Sequence, residues 1–160
     1  MSKVLENKFS TSLFIIASLC MYSYPSLAGN ILYQGHKLEA GYYLESLDGS
    51  HRLVMQTDGN LVLYNMRYRP RLAIWASDTA EHPGTCLHMY KDGNLLLVDR
   101  DNNVIWDAGV RNYEYSNGAF LRVQNDGNLV IYRGNSNPES PDDPGFKDKH
   151  ASWATGTWNR

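Results

Sequence analysis

Cysteine is almost missing from this chain, with only Cys20 and Cys86 in 160 residues. Cys20 belongs to a leader segment, so the mature protein keeps one thiol and cannot close an internal disulfide; its stability must come from an apolar core and from association. Cys86, flanked by Thr85 and Leu87 among apolar neighbours, reads as a small buried residue rather than a reactive thiol. No Cys-x-x-Cys exists, and the five histidines, His36, His51, His82, His88 and His150, show no metal-ligand spacing. A Gly-rich phosphate cradle, a nucleophile elbow and other catalytic signatures are also lacking, so the sequence contains no recognisable enzyme and calls for no cofactor.

An excess of positive charge is also lacking. The chain has 15 Lys plus Arg and 17 Asp plus Glu; removing Lys3, Lys8 and Glu6 with the leader leaves 13 and 16, a net charge of −3. The basic residues are scattered, which argues against nucleic acid as a partner, since that affinity is built from clustered Lys and Arg. Past residue 28 no apolar run is long enough to span a bilayer.

The leader has the parts of a signal peptide: basic Lys3 and Lys8, an apolar run from Leu13 to Met21, and small residues at Ser26-Leu27-Ala28 before a cut ahead of Gly29. A lipoprotein signal at Cys20 is disfavoured, because bulky Leu19 stands where such signals need a small residue. Residues 1–28 are therefore expected to be removed, leaving a secreted domain of residues 29–160.

A repeat dominates what remains. QTDGNLVLY at Gln56–Tyr64 returns as QNDGNLVIY at Gln124–Tyr132, with YKDGNLLLV at Tyr90–Val98 between them; Asp58, Asp92 and Asp126 are 34 residues apart each time. A fixed period means one supersecondary unit used three times, each copy needing its neighbours to bury its apolar face. Helical tetratricopeptide arrays share this period, but here Asp-Gly sits between short alternating runs of Leu, Val, Ile and Tyr, a hairpin signature. Leu61 and Leu63 fall on one face, Asn60, Val62 and Tyr64 on the other; Leu129 and Ile131 against Asn128, Val130 and Tyr132 repeat the pattern.

Three tryptophans recur after the hairpins, Trp75 in IWAS, Trp106 in IWDA and Trp153 in SWAT. Equivalent places in three repeats predict a shared central core; an aromatic platform for a ligand is the alternative. The segment Gly134–His150, with Pro138, Pro141 and Pro144, lacks apolar periodicity and is expected to be an exposed insert that flanks the third site or alters the packing of the last strand.

On the outward face, Gln56, Asp58, Asn60, Val62 and Tyr64 combine two amides, a carboxylate, an aliphatic patch and a phenol, and Gln124, Asp126, Asn128, Val130 and Tyr132 do the same. Carboxylate oxygens accept from hydroxyls, amides donate and accept, and a small apolar surface covers a C–H face, so the set suits a neutral polyol. It suits hydrolysis poorly, because a glycosidase needs two carboxyl groups across one bond and each repeat brings one. Asp, Gly and Asn are ordinary turn residues, and for Asp92, Gly93 and Asn94 in the middle repeat that reading is preferred. It leaves unexplained why Gln and Tyr return at the same offsets in the other two repeats. A calcium loop is disfavoured, since the regular acidic positions and closing Glu are missing.

Gln-x-Asp-x-Asn-x-Val-x-Tyr, present twice intact and once worn, resembles the motif of the monocot mannose-binding (bulb-type, snowdrop-type) lectins. The resemblance extends from NILYQGHKLEAGYYL at Asn30–Leu44 through IWAS to WATGT at Trp153–Thr157. It implies an all-β fold, a β-prism II of three four-stranded antiparallel sheets with pseudo-threefold symmetry, binding mannose or mannose-containing glycans without a metal. In that likeness Asp58 and Asn60 hold the 2-hydroxyl of mannose, Gln56 the 3-hydroxyl, Tyr64 the 4-hydroxyl, and Val62 packs on ring carbons, with Gln124, Asp126, Asn128, Val130 and Tyr132 as counterparts. Tyr90, Leu96 and Val98 replace Gln, Val and Tyr in the middle repeat, which is expected to be weak or silent. The family's disulfide is expected to be absent, because Gly59 stands opposite Cys86. The resemblance further implies that dimers can form by exchange of C-terminal strands, here Ser152–Arg160. Two other readings of the same scaffold remain open: an antimicrobial or bacteriocin-type protein docking on envelope glycans, and a structural or storage member that binds no sugar.

Overall fold

The computed structural model describes residues 29–110, 118–133 and 151–160. The expected insert 134–150 and the leader 1–28 lie outside the described residues. Among those described, alternating side chains build twelve strands: β1 (Ile31–Tyr33), β2 (Lys37–Leu38), β3 (Tyr43–Glu45), β4 (His51–Met55), β5 (Leu61–Asn65), β6 (Leu72–Ala76), β7 (Cys86–Met89), β8 (Leu95–Val98), β9 (Val104–Asp107), β10 (Phe120–Val123), β11 (Leu129–Tyr132) and β12 (Ala151–Ala154). They form three four-stranded antiparallel sheets, β3-β4-β5-β6, β2-β7-β8-β9 and β1-β10-β11-β12.

Each sheet holds one repeat as its last three strands and borrows its first strand from the chain's opening segment. β1, β2 and β3 are dealt to the third, second and first sheets in turn, so the N-terminal run ties the repeats together. The corners between them turn at Gly35 and Gly41, whose amides donate to Met89 O and Met55 O, both at 2.7 Å. β12 closes the third sheet of its own chain, pairing Val130 with Ala154 and Ile131 with Trp153.

The three hairpin turns have one geometry. Gly59 N donates to Gln56 O (3.1 Å) and Gln56 N to Asn60 O (2.9 Å), with Gly59 at φ +95°. Gly93 and Gly127 sit equivalently at φ +81° and +87°. Asp therefore occupies the corner and Gly the left-handed position after it, a one-residue-longer loop than a two-residue Asp-Gly turn. All three fourth strands join their sheet across a bulge at the same place, Leu63/Tyr64, Leu97/Val98 and Ile131/Tyr132. The bulge re-aims the side chains beside the motif tyrosines.

The inner faces meet in one core. Leu61 and Leu63, Leu95 and Leu97, and Leu129 and Ile131 are fully buried, and Leu32, Leu38 and Leu44 of the opening strands join them. Trp75, Trp106 and Trp153 pack against this core as a ring of edge-to-face pairs with centroids 5.9, 6.0 and 5.8 Å apart. That geometry suits the aromatic quadrupole, so the tryptophans are the shared core of the prism rather than a ligand platform. Cys86 is free and buried, and burial, then the nearby Glu39 carboxylate, push its thiol pKa up against an opposing effect of Lys37. The loop after β6 is fastened to the first turn by His82 N donating to Asp58 O at 3.1 Å.

Candidate functional site

Turn geometry decides what the motif presents. In the first repeat Asp58 Oδ1 accepts the Asn60 amide N–H at 2.9 Å, leaving its other oxygen at an exposed position. Asn60 Oδ1 accepts from Ser77 Oγ (3.1 Å) and from Thr79 N–H (3.2 Å). A backbone N–H can only donate, so it fixes the orientation of the amide and leaves Nδ2 as the outward donor. Gln56 Nε2 donates to Tyr64 Oη at 2.6 Å, linking the first and last motif residues, and Val62 lies between them at 4% exposure. The Arg71 guanidinium sits 4.4 Å over the Tyr64 ring.

The third repeat reproduces these hydrogen bonds and adds one from Gly156 N–H. Asp126 Oδ1 accepts Asn128 N–H (3.0 Å), Gln124 Nε2 donates to Tyr132 Oη (2.7 Å), and Asn128 Oδ1 accepts Thr155 Oγ1 (3.1 Å), Gly156 N (3.0 Å) and Thr157 N (3.3 Å). Here the five groups line a cavity of about 400 Å³ together with Ala151, Ala154, Trp158 and Asn159. That volume is within the ~300–1,000 Å³ of small-molecule sites.

The expectation that this whole face lies open to water needs correction: Val62 of the first repeat is buried, and in the third repeat most of the set is. Tyr132 is 1% exposed and Val130 3%, and both belong to a small second apolar cluster with Phe120, Ile31 and Ala151. Tyr132 stacks on Phe120 at 5.4 Å, and buried Arg122 lies 5.5 Å over the Phe120 ring, so the neighbouring strand covers the ring of the phenol. Gln124 and Asn128 are buried as well, whereas Asp58 in the first repeat is exposed. In the third repeat the five groups line one cavity, and in the first Asp58 bonds Asn60 N–H and Gln56 bonds Tyr64. The first set is the more exposed and the third the more recessed.

The middle repeat keeps the turn and ties down the donor. Asp92 Oδ1 accepts Asn94 N–H (3.0 Å), and Asn94 Oδ1 accepts Leu95 N (2.9 Å) and Val110 N (3.2 Å). Its Nδ2, however, donates to Asp107 Oδ1 at 2.9 Å. Asp107 stands where the other repeats have Ala76 and Ala154, and its carboxylate takes one of the amide's two N–H groups and holds it toward the fourth strand. Tyr90 packs on His88, centroids 4.0 Å apart, instead of supplying an amide.

Several of these partners were not singled out from the motif alone: Ser77, Thr79, Thr155, Thr157, Asp107, Arg71 and Trp158. The recurrence of a hydroxyl residue two positions after Trp75 and Trp153, and again two further on, is the signal that marks the first four. A polar cluster braces the third turn from below: Ser50 Oγ bonds Asp48 Oδ1 (2.6 Å) and His51 Nδ1 (2.8 Å), while Asp48 N donates to Asn125 Oδ1 (3.2 Å). Burial opposes ionisation of Asp48, but hydrogen bonds from Ser50 and Ser46 and the charge of Arg67 outweigh it and hold its pKa at about 2. Burial, reinforced by Arg67, pushes the His51 pKa down against the carboxylates of Asp48 and Asp126. Among the described residues no group of three His, Cys, Asp or Glu side chains is placed to hold a metal.

A three-sheet prism with outward-facing polar sites of this kind defines a β-prism II protein of the bulb-lectin type. The chain is 36% identical over 107 residues to the mannose-specific lectin of Aloe arborescens, covering 64% of this chain and 88% of that one. Among solved structures it is similar to the monomeric monocot mannose-binding lectins of Gastrodia elata (TM-score 0.63, 31% identity, 81% of this chain and 98% of that one). It is also similar to the snowdrop (Galanthus nivalis) agglutinin complexed with methyl-α-D-mannoside (TM-score 0.57, 36% identity, 64% and 88%). The chain belongs to the monocot mannose-binding lectin family. No family model matches it, and it spans about half the length of other curated relatives, 47% and 49%.

Proposed function

We propose that this protein is a secreted, calcium-independent lectin, not an enzyme, that binds α-mannose or mannose-containing glycans at its first and third repeats. The observation that carries this reading is the shared bond pattern: in both repeats a backbone N–H pins Asn60 or Asn128 by its oxygen, so each amide donor faces outward beside a carboxylate and a Gln–Tyr pair. In the proposed complex the carboxylate accepts from a sugar hydroxyl, the asparagine donates to the same hydroxyl, Gln and Tyr reach the next two, and Val62 or Val130 covers ring carbons. The middle repeat is silent, because Asp107 holds its donor toward the fourth strand. The leader 1–28 routes the chain to export.

A site built from a few hydroxyl contacts binds one sugar at about millimolar strength, or about −4 kcal/mol. Useful affinity then comes from engaging several sites at once, which a dimer formed by exchanging Ser152–Arg160 would double. Titration calorimetry with methyl α-mannoside in the presence of a calcium chelator tests the reading. Two sites of millimolar affinity are expected; absence of heat up to high millimolar sugar would end it.

A further inference from the structure

The first and third sites share one backbone after their fourth strand. Asp78 and Gly156 both turn at positive φ, +57° and +68°. The next residues, Thr79 and Thr157, both donate an N–H to the site's asparagine (3.2 and 3.3 Å) and a hydroxyl to the carbonyl of the turn glycine (2.8 Å to Gly59, 2.6 Å to Gly127). The residue after that threonine is therefore delivered to the same place at each site. It is Ala80 at the first and Trp158 at the third.

Trp158 is 58% exposed and lines the third cavity. It is not a loose chain end: Asn159 N donates to Asp126 O at 2.7 Å, Arg160 N to Thr157 O at 3.3 Å, and Arg160 O accepts Asn65 Nδ2 at 2.8 Å. The edge of its indole rests over the Gly156 turn, where a Cβ would lie 3.6 Å from Cζ3. The other three tryptophans are spent on the central ring, whereas Trp158 pairs with no aromatic ring among the described residues. A large apolar face held in water on an anchored backbone, at the mouth of a polar site, is suited to cover the C–H face of a neutral sugar.

We infer that Trp158 makes the third site a two-sugar site, its indole stacking on a second pyranose of the glycan whose first residue is held by Gln124, Asp126, Asn128, Val130 and Tyr132. This rests on the mannose-binding reading above. The first site, with Ala80, takes a single residue. Asn159, beside the indole on the cavity wall, is placed to meet a hydroxyl of the second ring.

The test uses the full chain carrying Asp58→Asn, so that the third site alone reports, titrated by calorimetry and tryptophan fluorescence with methyl α-mannoside and with α-linked dimannosides. At least one dimannoside is expected to bind roughly 3- to 10-fold more tightly than the monosaccharide, the increment of one aromatic stacking contact. It should also perturb tryptophan emission. Trp158→Ala should reduce that preference to no more than the statistical factor of about two for a ligand with two equivalent rings, and abolish the emission change, while Trp158→Phe keeps most of the preference. A dimannoside preference that survives Trp158→Ala, or no preference in the parent, overturns the inference while monosaccharide binding leaves the mannose reading standing. No binding of either sugar removes the inference together with the third repeat's place in the mannose reading, and the chain with Asp58 intact then tests the first site alone.

Discussion

Replacing Asp58 and Asp126 together by asparagine separates the two tasks of these carboxylates. One oxygen of each shapes the turn by accepting the Asn60 or Asn128 N–H at 2.9 and 3.0 Å. In the proposed complex the charge and the second oxygen meet a sugar hydroxyl. Asparagine keeps the turn-shaping acceptor and puts a donor where the second oxygen was, so the fold is spared; the change in stability should stay within about 0.5 kcal/mol. A hydrogen bond to a charged group contributes about 1.5–3 kcal/mol, so each site should weaken by about 10- to 150-fold. From a millimolar start that moves each dissociation constant to about 10–150 mM. Alanine at the same positions gives the contrast, losing the turn bond too and about 1 kcal/mol of stability per site. Calorimetry with methyl α-mannoside beside a thermal melt reads both quantities, and either single asparagine variant should halve the stoichiometry. If the double asparagine variant melts normally and titrates with two sites of parental affinity, the carboxylates are not contacts and the site lies elsewhere.

Three further outcomes follow from the geometry. Installing the missing groups of the middle repeat through Tyr90→Gln, Leu96→Val and Val98→Tyr should leave it silent, and only the further change Asp107→Ala should raise calorimetric stoichiometry from two to three; a third site appearing without that change would refute the role given to Asp107. Gly59→Ala should cost about 2–4 kcal/mol, because it adds a Cβ 2.2 Å from the His82 carbonyl oxygen to a backbone at φ +95°, whereas Gly109→Ala, at φ +74° with open space around it, should cost only about 1 kcal/mol; equal denaturation midpoints would show that the contact is not the cause. Burial first, then Arg67, hold His51 below its ordinary pKa although Asp48 and Asp126 pull the other way, so below about pH 6.5 the unfolded chain binds a proton that the folded one resists. Stability should accordingly fall as pH drops from about 7 toward 5, with His88, depressed by burial and then Lys37 against Glu39, adding to the same window. His51→Gln should flatten part of that slope in urea midpoints measured across pH, and an unchanged slope would exclude His51 as a source.

Most of the fold was legible because its determinants are local. Alternation with a period of two puts Leu61 and Leu63 in the core and Val62 and Tyr64 on the opposite face of the strand, where Val62 is nonetheless buried, and Asp-Gly at a constant spacing marks the three hairpins. What local pattern does not encode is pairing at long range. Nothing in Ile31–Glu45 says that its three short strands go to three different sheets, since each edge is chosen by hydrogen bonds to residues about 90, 50 and 10 positions away, as in Leu32 with Leu121, Leu38 with Leu87 and Leu44 with Leu53. The burial of Tyr132 was hidden for a related reason: its cover, Phe120 and Arg122, sits on another strand, and an arginine in an alternating run reads as solvent-facing until its neighbours are known.

The three repeats also show why a binding motif is an incomplete description of a binding site. Asp-x-Asn is present in all three, and in all three the aspartate caps the turn and the asparagine oxygen is held by backbone N–H groups. The copies diverge at residues outside the motif, on the fourth strand and the turn that follows it. Ala76 and Ala154 leave the asparagine donor to whatever lies in front of it, while Asp107 at the same position captures it. Ala80 follows Thr79 after the first site's fourth strand, while Trp158 lines the cavity of the third. Because all of these positions are reached through the same bulge and the same left-handed turn, the scaffold can change one site's chemistry without disturbing the leucine core or the tryptophan ring beneath it. Differences in what each copy binds should therefore follow the residues after Trp75, Trp106 and Trp153 as closely as those around Asp58, Asp92 and Asp126.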